Sequence, residues 1–322
     1  MKPNRTRRKL AIATWDAPRE GNIYGKLTID ATNALEYVAW LRAESGEKIT
    51  VTHLVGKAVA SALAASPDLN GIIRLGHFHK HKTVDVAFLV ALEEGRDLAK
   101  AKICSLDQKS VTDLAKELRA LAIKLYSGKD EAFNKAMGPI KMLPTWILKP
   151  LLKMTGYLSS VLGWDVPALG IESYPFGSCI ITNVGVFGLD EAFAPPTPFA
   201  HAPVYVLIGA IRDSAVVIDG QLAVRKQMTL CATIDHRYMD GAQGAELAKV
   251  IRSILENPWQ LDGLDGPPPS DEDVEDEDTA GIDKAEPEAL EPGAPEPGAP
   301  EPGAPEPEQA APDESQPKAG EE

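Results

Sequence analysis

Cysteine is scarce in this chain, with 3 cysteines in 322 residues, at positions 104, 179 and 231. They form no Cys-x-x-Cys pair and no set of paired spacings, which disfavours a disulfide framework and a cysteine-based zinc site. The sequence also lacks a run of about eighteen apolar residues, the length that a membrane-spanning helix requires. We therefore expect a soluble protein of a reducing compartment, the cytoplasm.

Three further features are missing. The basic N-terminal end, residues 1–9, is not followed by the apolar stretch of a signal peptide. Its charges also lack interleaved aromatic residues, so we interpret it as a solvated end and expect no nucleic-acid partner. No glycine-rich phosphate loop is found either.

Acidic residues are plentiful but concentrated at one end. From Leu261 onward the chain has 21 Asp and Glu against 2 Lys, whereas its total net charge is −14, so residues 1–260 are mildly basic. The same stretch repeats Glu-Pro-Gly-Ala-Pro from Glu291. High charge and dense proline predict a disordered tail over 261–322. Such a tail could raise solubility or contact a basic protein partner, and no sequence feature selects between these roles. Residues 10–260 are left as the folded domain.

A strand followed by a helix is predicted near the end of that domain. Residues 227–234 alternate between polar and apolar, which is typical of a half-buried strand, and residues 241–255 carry apolar residues at helical spacing. His236 lies at the junction, with the parity of the inward-facing positions, so we expect it to point at packed protein. An imidazole there can serve as a general base, although a lone strand-end histidine is more often structural. Asp240 and Gly241 are expected to shape the turn, glycine through its backbone freedom.

The motif around this histidine favours the catalytic interpretation. Asp235-His236-Arg237-x-x-Asp240-Gly241 resembles the His-x-x-x-Asp-Gly motif of the chloramphenicol-acetyltransferase-like superfamily. In its fuller form, with Asp235 and Arg237, it resembles the catalytic domain of the dihydrolipoyl acyltransferase (E2) component of 2-oxo acid dehydrogenase complexes. The resemblance implies that His236 is the catalytic base and that Asp240 holds the motif turn.

A second segment carries the same resemblance. Residues 177–188 are similar to a strand and turn of E2 catalytic domains, and the family's oxyanion-stabilising serine falls on Thr182, beside Asn183. A threonine hydroxyl can donate the same hydrogen bond. The segment from Trp15 to Arg19 loosely resembles the start of chloramphenicol acetyltransferases, in which a tryptophan precedes an arginine that pairs with the motif aspartate. The resemblance suggests that Arg19 pairs with Asp240.

The resemblance implies an α/β fold, an α+β two-layer sandwich with a mixed sheet covered by helices. It implies transfer of an acyl group from a thioester to a thiol, hydroxyl or amine acceptor, with coenzyme A as the carrier or a lipoyl carrier supplied in trans. A homotrimer is implied too, with the active site between subunits. No lipoyl domain precedes residue 10, so we expect a free-standing catalytic-type domain. One alternative is a non-catalytic trimeric scaffold.

Two segments depart from the family pattern. Residues 96–102 replace a Gly-Leu-Val-Val-Pro-Val segment that helps to line the carrier channel in the family. Residues 126–169 are extra, and they combine apolar bulk with lysines and four prolines, which predicts short helical pieces. We interpret this apolar segment as a lid packed on its own subunit. The alternatives are contact with a membrane surface and a lipid-like acyl acceptor.

A metal site is not predicted. His77, His79 and His81 alternate in a strand-like segment, but no acidic residue or cysteine completes a ligand set, and Lys80 and Lys82 would repel a cation. An exposed strand face is the preferred interpretation.

Overall fold

The computed structural model describes residues 21–92 and 97–268, and the structural statements below refer to these residues. The basic N-terminal end, Arg19 and the tail beyond Pro268 lie outside them. The strands are β1 (Asn22–Asp30), β2 (Gly71–Arg74), β3 (His77–Lys80), β4 (Val86–Leu92), β5 (Asp97–Ile103), β6 (Cys179–Asn183), β7 (Val204–Ile218) and β8 (Gln221–Asp235). The helices are α1 (Thr32–Ser45), α2 (Val51–Ala65), α3 (Val111–Tyr126), α4 (Glu131–Met142), α5 (Thr145–Gly156) and α6 (Gly241–Glu256).

Six of the strands form one mixed sheet in the order β1-β8-β7-β6-β4-β5. Strand β6 runs parallel to both of its neighbours, β4 and β7, whereas the other pairs are antiparallel. Strands β2 and β3 make a separate hairpin. The predicted α/β fold with a mixed sheet is confirmed.

The sheet is covered differently on its two faces. Val86, Phe88 and Ile181 point to the main core, where α1, α2, α3 and α6 pack. Their neighbours along the strands, Ala87 and Ile180, point to the opposite face. That face is covered by the irregular segment around residues 194–202. The alternation of side chains in each strand therefore separates a helical layer from a thinner loop layer.

Strand β7 contains a bulge. Ile208 pairs with Leu230 but Ile211 pairs with Met228, so β7 has one more residue than β8 in this interval. Val204, Val206 and Ile208 face the helices before the bulge, and Ile211 faces them after it. Gly209 occupies the bulge, where a Cβ atom would lie 2.0 Å from the Asp190 carbonyl oxygen. The position therefore has room for glycine alone.

Several elements lie where local sequence patterns predicted them. Residues 51–65 form the helix that their apolar stripe predicted. The Asp219-Gly220 turn joins β7 to β8, with φ of 50° and 79°, as a tight hairpin between right-twisted strands requires. The divergent segment after residue 96, which we did not predict to be a strand, forms the edge strand β5. Its Ala99, Ala101 and Ile103 are buried, while Lys100 and Lys102 between them donate to the backbone carbonyls of Pro175 and Ser173.

The extra apolar segment folds as short pieces, in agreement with its prolines. Helices α4 and α5 are separated at Pro144, the N-cap of α5, and a short π-helical turn, Tyr157–Val161, follows. Pro150 nevertheless lies inside α5 rather than at a break.

Ordered structure continues slightly beyond the expected boundary at residue 260. A 3-10 helix spans Pro258–Asp262, and the Trp259 side chain is 2% exposed. The Tyr37 hydroxyl donates a hydrogen bond to Asp262 at 2.5 Å, and Leu261 and Leu264 pack against the main core.

His53, the third residue of α2, makes the stability of the fold depend on pH. It is 8% exposed, and its Nδ1 accepts a hydrogen bond of 2.9 Å from the backbone N–H of Thr50, the N-cap residue. Burial, assisted by the charge of Arg42, lowers the pKa of His53 to about 4. An unfolded histidine titrates near 6.5. Between these two pKa values His53 is protonated in the unfolded chain but not in the folded chain. The stability contributed by neutral His53 is therefore complete above about pH 6.5 and is lost as the pH falls towards 4.

We predict that His53→Gln removes this pH dependence. Glutamine at the third helical position can still accept the Thr50 N–H bond, but it does not titrate. Between pH 6.5 and 4 the wild type should lose up to about 3 kcal/mol of unfolding free energy more than the variant. Urea unfolding across this range measures the difference, and parallel pH profiles would contradict the assignment.

Candidate functional site

His236 follows the last residue of β8 and begins a turn. Its backbone N–H donates to the Gly21 carbonyl oxygen at 3.2 Å, and its side chain is exposed in the single chain. The prediction that it points at packed protein is wrong. The alternation holds through Ile234, which is buried, but the strand ends at Asp235 and the turn rotates the next side chain outward.

A backbone hydrogen bond fixes the tautomer of His236. Its Nδ1 lies 2.9 Å from the carbonyl oxygen of Met239. Because a carbonyl oxygen can only accept, the proton of the neutral ring must lie on Nδ1. Nε2 is then left with a free lone pair, which is the form a general base needs.

The carbonyl that orients the ring is itself held in place. Met239 is 4% exposed, and a Cβ atom added at Gly244 would lie 2.5 Å from its terminal methyl group. The side chain of Met239 is therefore packed tightly against the first turns of α6, so its carbonyl has little freedom to move. No sequence signal marks Met239 as functional, because an apolar residue in a motif carries no reactive group.

Asp240 is the N-cap of α6. Its carboxylate accepts hydrogen bonds from the backbone N–H of Ala242 at 2.9 Å and of Gln243 at 3.3 Å. The Gln243 side chain accepts from the Asp240 N–H at 3.1 Å, which completes a reciprocal capping box. Through this cap Asp240 fixes the start of the helix one residue after the carbonyl that orients His236.

Gly241 is not required by the local backbone. It is the first residue of α6 and has no left-handed φ. A Cβ atom there would meet nothing within 4 Å in the described part of the chain. The expectation that it supplies unusual backbone angles is therefore wrong, and the space around it is open.

The remaining motif residues close the turn. The Arg237 guanidinium forms an ion pair with Asp235, its Nε lying 3.0 Å from both carboxylate oxygens, and the Arg237 backbone N–H bonds the same carboxylate. The Tyr238 hydroxyl accepts a hydrogen bond from the Ile73 N–H at 3.0 Å and so connects the β2–β3 hairpin to the motif. The sequence motif did not predict this role of Tyr238. His201, with φ of 51°, lies near this ion pair. Burial lowers its pKa, the Arg237 charge adds to the lowering and the Asp235 charge opposes it.

Thr182 and Asn183 end strand β6. Thr182 is half-buried and shares the parity of Ile180, so it points to the face opposite the helices. Asn183 points to the helices, where its Nδ2 donates to Thr52 Oγ1 at 3.0 Å. Its Oδ1 is buried and has no hydrogen-bond partner among the described residues.

Within one chain, Thr182 and His236 lie at opposite ends of the sheet. Thr182 is in register with Leu207, and Leu207 with Cys231, five residues before His236. Spacings of about 3.3 Å per residue and about 4.8 Å per strand put the two residues roughly 19 Å apart. A single chain does not bring them together.

Other predicted features are placed as follows. Arg19 and its suggested pairing with Asp240 lie outside the described residues. His77 and His79 are exposed on β3, whereas His81 follows the strand and packs its ring against Tyr174, with centroids 4.6 Å apart. Within residues 21–92 and 97–268, no three or more His, Cys, Asp and Glu side chains stand close enough to hold a metal ion. Nor does any helix in this part of the chain have the length and apolar character needed to cross a membrane.

The sequence matches a described family. Residues 6–133 and 168–262 match the family of 2-oxoacid dehydrogenases acyltransferase (catalytic domain). The chain is 25% identical over 237 residues to the dihydrolipoyllysine-residue succinyltransferase component of the 2-oxoglutarate dehydrogenase complex of Haemophilus influenzae, covering 70% of this chain and 47% of that protein. It is 28% identical over 214 residues to the acetyltransferase component of the pyruvate dehydrogenase complex of Rhizobium meliloti, covering 66% and 38%. The chain thus spans less than half the length of these relatives.

Solved structures share the fold. A probable dihydrolipoamide acetyltransferase from Listeria monocytogenes superposes with a TM-score of 0.57 at 21% identity, over 78% of this chain and 89% of that one. The Azotobacter vinelandii dihydrolipoamide acetyltransferase, studied for the catalytic role of a serine, a histidine and an asparagine, gives 0.55 at 20% identity, over 80% and 87%.

We predict that Asp240→Ala lowers the free energy of unfolding by about 1 kcal/mol, because two N–H groups of α6 lose their acceptor. Asp240→Asn should restore most of this loss, since asparagine caps helices about as well as aspartate. Urea unfolding of the three proteins measures the effect. Equal stability of wild type and the alanine variant would show that the cap is not formed in solution.

Proposed function

The chain belongs to the family of 2-oxoacid dehydrogenase acyltransferases (catalytic domain), and from this premise we propose that it transfers an acyl group between a thioester and an acceptor, with His236 as general base. The observation that carries the proposal is the hydrogen bond from His236 Nδ1 to the Met239 carbonyl. In the neutral imidazole this bond leaves the lone pair of Nε2 free, on an exposed side chain, to accept the proton of an acceptor.

The reaction proposed at Nε2 is a direct transfer. The acceptor gives its proton to Nε2 as its sulfur, oxygen or nitrogen forms a bond to the thioester carbonyl carbon. The tetrahedral intermediate then collapses, the carbon–sulfur bond of the donor breaks, and the proton on Nε2 passes to the departing thiolate. A thiol acceptor is favoured, because the relatives are dihydrolipoyllysine-residue acyltransferases by name. Coenzyme A is the proposed second thiol, and a lipoyl group would be supplied in trans.

Asp240 is proposed as a positioning residue rather than a participant. Its carboxylate is engaged with the first N–H groups of α6. By fixing the helix start, it keeps the Met239 carbonyl where it can hold Nδ1 of His236. The open space beside Gly241 is consistent with this glycine lining the approach to the histidine, where a side chain would intrude.

Thr182 is the proposed donor to the oxyanion. Thr182 is half-buried at the end of β6, beside a half-buried Asn183 whose side chain fixes this strand end to α2. Because it lies roughly 19 Å from His236 of its own chain, by strand spacings, the two can act on one carbonyl only if they come from different chains. This supports an oligomer with its active site between subunits, which we propose to be a trimer.

The first test is acyl-CoA turnover across acyl chain lengths in the presence and absence of dihydrolipoamide, with released coenzyme A and acyl-dihydrolipoamide separated by chromatography. We expect dihydrolipoamide-dependent turnover that His236→Ala lowers by about 10²–10⁴, the usual contribution of a general base. Thr182→Val, which keeps the shape and removes the hydroxyl, should lower kcat by about 10²–10³. Thr182→Ser should retain activity. No turnover by the folded oligomer with any acyl-CoA would favour the non-catalytic scaffold.

A complementation experiment tests the shared site. His236→Ala and Thr182→Val are each expected to be nearly inactive alone. When the two are dissociated and reassembled together, some interfaces pair the intact His236 of one chain with the intact Thr182 of another, about a quarter of them in a random mixture. Activity should therefore reappear in the mixed oligomer. Its failure to reappear, with mixing shown by differently tagged chains, would place both groups in one chain.

A further inference from the structure

Tyr238 occupies one of the two positions that the histidine motif leaves open. Its side chain is 9% exposed, whereas that of His236, two residues earlier, is exposed. The tyrosine ring therefore points into the protein while the imidazole points out of it. In sequence Tyr238 lies between the imidazole and Met239, whose carbonyl orients that imidazole, so its contacts bear on both.

The β2–β3 hairpin presents a backbone donor to Tyr238. The hairpin has a two-residue loop, as its register shows. In such a hairpin the pair that flanks the loop exchanges hydrogen bonds, and the next pair does not. Ile73 belongs to that next pair, with Phe78, so its N–H points away from β3. The Tyr238 hydroxyl accepts this N–H at 3.0 Å and so satisfies a donor that the hairpin itself leaves unpaired.

The base of the same hairpin is fixed to the main sheet. The Asn70 side chain, which is 4% exposed, donates to the Thr83 carbonyl oxygen at 3.1 Å and accepts from the Ser178 hydroxyl at 2.6 Å. Asn70 immediately precedes β2, Thr83 follows β3, and Ser178 immediately precedes β6. The two ends of the hairpin are therefore held together at the start of β6, and the Ile73 N–H is presented from a fixed support.

The Tyr238 ring contacts the hairpin as well. It meets the Phe78 ring edge to face, with centroids 6.2 Å apart and ring planes at 83°. This contact belongs to the aromatic ring, whereas the bond to the Ile73 N–H belongs to the hydroxyl. A single substitution can therefore separate the two contributions of Tyr238.

We propose that Tyr238 is a positioning residue for His236 and that it acts through the β2–β3 hairpin. Its anchored side chain restrains the main chain before Met239, and the Asp240 cap restrains the main chain after it. Held on both sides, the Met239 carbonyl stays where it accepts the Nδ1–H of His236, and Nε2 keeps its free lone pair. The inference rests on the acyl transfer proposed at His236.

The test compares the full-length wild type with Tyr238→Phe, which keeps the ring and its contact with Phe78 but removes the acceptor of the Ile73 N–H. The matched control is Tyr37→Phe. It removes the hydroxyl of another buried tyrosine, which donates to Asp262. Urea unfolding checks that all three proteins fold, and hydrogen exchange of the Ile73 amide checks that its bond is lost in Tyr238→Phe alone.

Two readouts distinguish positioning from a purely structural role. Nitrogen-15 NMR of the His236 ring, assigned with His236→Ala and recorded well above the ordinary histidine pKa of about 6.5, reports the tautomer whether or not the protein is active. We expect the Nδ1–H form in the wild type and in the control, and a mixture of both tautomers in Tyr238→Phe. The kcat of Tyr238→Phe should fall about tenfold with KM for acyl-CoA unchanged, because loosened positioning slows the chemical step.

Preservation of the Nδ1–H form in Tyr238→Phe would overturn the proposal. So would an unchanged kcat in that variant, or an equal loss of kcat in Tyr37→Phe. If the wild type turns over no acyl-CoA, the proposed function fails, but the tautomer of His236 in the two tyrosine variants still decides the role of Tyr238.

Discussion

The pairing of β7 with β8 is the constraint on which the placement of the functional groups depends. These two strands join β1 on one side to β6 on the other, so their register decides where each strand end lies. Strand β8 runs antiparallel to β7, whereas β6 runs parallel to it. The C-terminal ends of β8 and β6 therefore lie at opposite ends of β7. His236 and Thr182 are thus separated by topology within one chain, and the shared site proposed above requires two chains.

The motif turn shows how a short peptide can be pre-organised without a charged partner for its histidine. The ring is oriented by a main-chain carbonyl, that carbonyl by a packed methionine, and the helix after it by an aspartate cap. Each contact is local in sequence, so the turn can form within one chain before any association occurs. The ion pair between Asp235 and Arg237 closes the same turn from its other side.

The sequence predicted those elements whose formation depends on residues close together along the chain. The helix over 51–65 and the Asp219-Gly220 hairpin follow from apolar spacing and turn chemistry, and the mixed sheet followed from the family resemblance. The orientation of His236 was missed because alternation applies only while the strand lasts, and no pattern marks the residue at which it ends. Strand β5 was missed because alternating lysines in an edge strand resemble a loop. The role of Met239 depends on its main chain, which every residue possesses.

The bulge at Gly209 has a consequence for how the length of this chain can vary. Before the bulge the even-numbered side chains of β7 face the helices, and after it the odd-numbered side chains do. Deleting one residue here would restore regular pairing and would keep the later side chains on their present faces, because Ile211 would then follow Ile208 by two residues. What the deletion would remove is the hydrogen bond from the N–H of Ala210 to the Leu189 carbonyl, which helps to anchor the loop following Thr182 and Asn183. Homologous chains should therefore gain or lose residues at the hairpin tip, where both strands can change together, and conserve the spacing between the bulge and the histidine turn.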